Sequence, residues 1–181
     1  MRDRMKIIGN LSLIFALVLG LYGCSQDDEE QAEPLAGCPT ALVIKQASHL
    51  VHYDEGQDKD PTDVNFKVRI GDIDGVCEFK DREAIITMAI RFFTEKGPAN
   101  KDQQATFTYF VAIVDPSRHI IDRQSLDLQI PFKEDKQFSG MEEELEQRLQ
   151  IPEGVDPSLY KIYVGLQISD EEFQQAIQNV Q

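Results

Sequence analysis

The segment VNFKVRI does most to restrict what this chain can fold into. Val64, Phe66, Val68 and Ile70 alternate with Asn65, Lys67 and Arg69. A period of two puts the apolar side chains on one face of an extended strand and the polar ones on the other. The signature recurs. AIITMAIRFF, 84–93, is almost wholly apolar, with Ile86, Met88, Ile90 and Phe92 on one face, and reads as a central strand. TFTYFVAIV, 106–114, is rich in β-branched and aromatic residues. LDLQIPF, 126–132, alternates through Leu126, Leu128, Ile130 and Phe132. Its Pro131 cannot donate to a ladder, which suits an edge strand or a strand end. YKIYVGLQI, 160–168, alternates as well. ALVIKQAS near 41–48 is the expected first strand, and VCEFK near 76–80 a short one.

The punctuation agrees with short antiparallel strands. Asp74-Gly75 is a tight-turn signal between two strand segments. Gly97-Pro98-Ala99-Asn100 and Asp115-Pro116-Ser117 are turn clusters, and YDEGQDKDPTD, 53–63, is a long acidic loop. Several strands with turns between them point to a mainly β fold, an antiparallel β-sandwich. At the C-terminus, SDEEFQQAIQNVQ changes period. Ser169 caps, Glu172 stands three residues on, and Phe173, Ala176, Ile177 and Val180 form one stripe. A short helix over 170–180 packing on the sandwich is expected.

SGMEEELEQRLQIP supports two readings. Ser139 and Glu142 make a capping-box pattern, and Met141, Leu145 and Leu149 share a helix face. Leu145, Leu149 and Ile151 also alternate as a strand, with Gln147 the lapse. The strand is preferred because of the residues beyond Ile151. Asp156 precedes Tyr160 by four residues, and Ile162 stands two beyond it. This resembles the tyrosine corner of immunoglobulin-like and fibronectin type III-like sandwiches, where a Tyr near the start of a late strand hydrogen-bonds back to the preceding connection. The chain has no Trp, so the Trp-and-disulfide core of antibody domains is absent.

The N-terminus has a different logic. MRDRMK carries Arg2, Arg4 and Lys6, and an apolar stretch over 7–22 comes next, broken by Gly9 and Asn10. This is the pattern of an export signal, residues 1–23. Its uninterrupted part, 11–22, falls short of a hydrocarbon core about 30 Å thick. An uncleaved anchor counted from Ile7 is the alternative. Leu21-Tyr22-Gly23-Cys24 resembles the lipobox of bacterial lipoproteins, with Tyr22 where a small residue is usual. The resemblance implies cleavage before Cys24, a diacylglycerol on its sulfur and an acylated amino group. More than one acyl chain holds a protein stably on a membrane. In Gram-negative lipoproteins an Asp after the cysteine tends to mean inner-membrane retention, so Ser25 implies the outer membrane.

Loss of the signal removes three basic residues and Asp3, leaving 15 Lys/Arg against 31 Asp/Glu, a net charge of −16. Such a surface repels nucleic acid and anionic headgroups. Residues 24–37, with SQDDEEQAEPLAG behind Cys24, read as an acidic tether to a domain over 38–181. With Cys24 assigned to lipid, Cys38 and Cys77 remain, and export favours a bond between them over two buried thiols.

Chemistry is sparse. His49 and His52 are three apart, which suits metal sharing on a helix but sends them to opposite faces of a strand. His119 sits beside a turn. Asp54, Glu55, Asp58, Asp60 and Asp63 offer oxygen ligands for Ca²⁺ without EF-hand spacing. Asp72 and Asp74 offer fewer. No nucleophile elbow, phosphate loop or dinucleotide fingerprint is present. The expectation is a lipoprotein without enzymatic activity or cofactor, facing the periplasm, with an envelope protein as partner. The alternative is a small-ligand or Ca²⁺ binder.

Overall fold

The computed structural model describes residues 37–53 and 60–178. The expected signal segment, Cys24 and the tether up to residue 36 lie outside them, as do Asp54, Glu55 and Asp58. The described residues belong to a unit spanning Pro34–Gln181. Eight strands and one helix succeed one another. They are β1 (Thr40–Val43), β2 (His49–Tyr53), β3 (Val64–Lys80), β4 (Glu83–Lys96), β5 (Gln104–Val114), β6 (Ile120–Pro131), β7 (Phe138–Gln150), β8 (Lys161–Leu166) and α1 (Asp170–Gln178).

The strands form two packed four-stranded sheets, the mainly β sandwich expected from the alternation. Sheet A has the order β1-β8-β5-β6 and sheet B the order β2-β3-β4-β7. Sandwiches of the immunoglobulin-like class share two packed sheets without always sharing strand order. All pairs are antiparallel but one: β1 lies parallel to β8, with Ala41 opposite Ile162. The segment 84–93 is central, flanked by β3 and β7, and the Pro131 strand is an edge. Phe66 and Phe92 from sheet B meet Phe107 and Tyr109 from sheet A, with ring centroids 4.9–6.4 Å apart. Full burial of side chains such as Phe92 or Ile162 contributes about 1.5–3 kcal/mol each.

Three expectations change. Asp74-Gly75 is not a turn, because both lie inside β3, which runs unbroken through 76–80. β4 is nearly as long and offers partners along the whole stretch, with Gly75 opposite Met88. The irregularity sits between Ile70 and Ile73, where β3 holds one extra residue. This β-bulge moves the core-facing set from Phe66, Val68 and Ile70 to Ile73 and Cys77. The true turn is at Asp81, with φ of 57°. Second, 41–48 is not one strand. β1 ends at Val43, a 3-10 turn over Lys45–Ala47 carries the chain between sheets, and β2 starts at His49. Third, β6 begins six residues before the alternation does. Residues 120–125 are exposed whichever way they point, so no period marks them. The segment with two readings is strand as far as Gln150, where β7 ends, and has no helical part.

The Cys38–Cys77 disulfide forms, with Cα atoms 6.2 Å apart. It joins the chain entering β1 of sheet A to β3 of sheet B. Tyr160 is buried immediately before β8, and Ile162 is fully buried behind it. Asp156 accepts from the Ser158 N–H at 2.9 Å and fixes the connection between them. At α1 the reciprocal cap is made. The Ser169 N–H donates to Glu172 at 2.7 Å, and the Glu172 N–H donates to Ser169 Oγ at 3.3 Å. Of the expected stripe, Phe173 is exposed and Ile177 half-buried, and α1 lies against the 3-10 turn after β1. Val180 is outside the described residues.

Candidate functional site: the outer face of sheet B

The sequence-derived ligand candidates do not converge. His49 and His52 occupy opposite faces of β2, as a strand requires. His52 stacks on Phe66 at 4.8 Å, while the His49 ring bonds Ser48 Oγ at 2.7 Å. His119 is solvent-facing and lies 3.5 Å from the Asp115 carboxylate. Asp60 is a cap, accepting from the Thr62 N–H at 2.9 Å and its hydroxyl at 2.7 Å. Those bonds hold its carboxyl below the ordinary range. Asp63 sits in the next turn. Among the described residues, no three His, Cys, Asp or Glu side chains stand together as a metal site. Asp74 is committed to Arg91 at 2.5 Å.

What the fold assembles is a surface. Outward positions alternate with core positions, so β2, β3, β4 and β7 each send every second residue to one open face. Across it, from β2 to β7, lies a shallow groove of about 220 Å³, lined by His49, Val51, Lys67, Arg69, Phe93, Glu95 and Phe138. Its floor rests on two glycines. A Cβ on Gly71 would come within 2.5 Å of the Phe93 ring, and one on Gly140 within 3.5 Å of it. Phe93 therefore lies across both neighbouring strands, filling space that their missing side chains leave. The Arg69 guanidinium stacks on this ring, 4.1 Å from its centroid. Phe138, at the start of the edge strand β7, is 67% exposed, the most open large apolar side chain among the described residues.

The charges of this face are unequally committed. Lys67 pairs with Glu95 at 3.3 Å. Arg91 is held by Asp74 and by Glu142 at 3.0 Å, which raises its pKa above the ordinary arginine range. Arg148 reaches Glu83 and Glu146. Arg69 forms no ion pair among the described residues. The opposite face repeats the stacking but not the freedom. On sheet A, Arg123 lies 4.6 Å above Phe110, whose ring fills the place of a Gly165 side chain, but this guanidinium donates to Gln167 at 3.2 Å.

The sequence contains these residues but does not announce their meeting. Phe93 reads simply as one more apolar residue of 84–93. Its role comes from a register that sets Arg69 and Gly140 opposite it. The one available signal is glycine inside strand patterns, which marks close approach as often as a turn. No family model matches the chain, and no curated protein or solved structure matches it either. Among the described residues, no helix is long and apolar enough to cross a membrane.

Proposed function

We propose that this protein is a lipid-anchored, non-enzymatic interaction module of a bacterial envelope, tethered through Cys24 and working by protein–protein contact. The observation that carries the reading is the open aromatic and cationic groove on sheet B, set on a disulfide-linked sandwich. Exposed aromatic side chains beside an arginine are the residue types that dominate protein interfaces. The groove is shallow and open, which suits a polypeptide better than an enclosed small molecule. The disulfide fits export, and the lipobox with Ser25 argues for the outer membrane, periplasmic side. The acidic residues 24–37 serve as spacer between lipid and sandwich.

Two measurements test this. Intact mass of the mature protein is expected to report cleavage before Cys24, acyl chains and one disulfide. A mass that retains residues 1–23 without lipid contradicts the anchor. Purification from native envelopes is expected to bring down a stoichiometric protein partner with the wild type and to lose it with Phe138→Asp. Recovery of the wild type alone contradicts the interaction role.

A further inference from the structure

The outer face of sheet B is divided by charge. Toward the far ends of β3 and β7 it carries Asp72, Asp74, Glu142, Glu144 and Glu146, with Arg91 and Arg148 already engaged by carboxylates. Around the groove it carries His49, Arg69 and the Lys67–Glu95 pair, which leaves Arg69 as the uncompensated charge there. Among the described residues of this face, Arg69 is the arginine without a carboxylate partner, since Arg91 and Arg148 both have one. Arg69 is exposed with its guanidinium carbon 4.1 Å from the Phe93 centroid, and a guanidinium can take a carboxylate through two parallel hydrogen bonds. Val51, Phe93 and Phe138 supply apolar surface within the same groove.

We propose that this groove binds an extended acidic segment of a partner protein, one carboxylate seated on Arg69 and an apolar side chain seated against Phe93 and Phe138, which stand on the adjacent strands β4 and β7. The segment would lie across the open face of the sheet, over the Arg69–Phe93 stack and toward Phe138. The chain's overall negative charge does not forbid this. Repulsion from distant carboxylates is screened beyond about 8 Å at physiological ionic strength, whereas the Arg69 contact acts at hydrogen-bond range. The inference rests on the interaction reading above and adds the chemistry of the partner.

The test uses the mature full-length protein in detergent micelles and a fluorescent ten-residue peptide alternating valine and glutamate. A matched peptide carries glutamine for glutamate. The glutamate peptide is expected to bind about tenfold more tightly, the scale of a charge-assisted hydrogen-bonded pair. Arg69→Gln is expected to remove that difference while leaving the melting transition in place. If that variant melts early, Arg69→Lys, which keeps the charge and loses the fork, is expected to bind at an intermediate level. Equal binding of the two peptides by the wild type overturns the proposal, as does full binding by a folded Arg69→Gln.

Two other occupants have distinct signatures. Concentration-dependent dimers abolished by Arg69→Gln would assign the groove to a second copy. Tighter peptide binding after neutralising Asp27, Asp28, Glu29 and Glu30 would assign it to the chain's own tether. Either overturns the partner segment. Capture of an envelope partner that survives Arg69→Gln contradicts the acidic segment alone, whereas absence of any partner removes the interaction reading itself.

Discussion

Gly71, Phe93 and Arg69 form a stack in which each member depends on the one below it. The ring lies where a Cβ on Gly71 would be, so Gly71→Ala must tilt Phe93 and disturb the floor under Arg69. A cost of about 1 kcal/mol is expected, at the low end for overpacking because the ring is partly exposed. Chemical denaturation measures it, and an unchanged midpoint would contradict the packing. Tyr109 gives a second residue-scale expectation. Burial and the nearby Glu143 charge push its hydroxyl up from 10.0 to about 12. A phenol that ionises later in the folded state stabilises fully below its unfolded pKa and loses that contribution as pH rises toward the folded one. Stability is therefore expected to fall between pH 10.0 and about 12, and Tyr109→Phe to flatten that fall. An unaltered alkaline limb in Tyr109→Phe would contradict the assignment. These residues are unequally legible. The Asp60 and Asp156 caps sit in local patterns. The stack joins residues 69, 71 and 93, and no local rule brings them together.

Legibility of the elements tracks periodicity. β4 and β8 have one fully buried face each, so their alternation is unambiguous. β7 has a mixed inner face: Met141, Glu143, Leu145, Gln147 and Leu149. That mixture is what lets a helical pattern compete with the strand. Polar residues pointing inward on an edge strand discourage another strand from adding to it. Gln147 is 3% exposed, and its Nε2 makes no hydrogen bond. An unsatisfied buried polar group costs about 1–3 kcal/mol, so Gln147→Leu is expected to stabilise the fold by about 1 kcal/mol. A lowered melting temperature would count against that account. Asp74-Gly75 imitates a turn for a similar reason. A glycine after an aspartate fits both a turn and a bulged strand, and only the length of β4 decides between them.

At the scale of the molecule, the disulfide and the division of charge matter most. Cys38 and Cys77 are 39 residues apart and tie sheet A to sheet B. Closing such a loop stabilises by roughly 3–4 kcal/mol in the chain-entropy model. Reduction, or Cys38→Ser with Cys77→Ser, is expected to lower unfolding free energy by about that amount with the sheets still formed. No loss in a denaturant titration under reducing conditions would contradict it. The sandwich is readable from period and punctuation, and the bond from cysteine count and the expected export. The groove face is not, because it arises from four strands whose order the sequence does not announce.

The central claim is that the groove face of sheet B is where this module meets its partner. A photo-crosslinking residue placed at Phe138 in cells tests it most directly, beside a control at Gln129 on the outer face of sheet A. The account expects one discrete crosslinked product from position 138, absent from position 129 and lost with Arg69→Gln. Equal products from both positions, or none from 138, would contradict it.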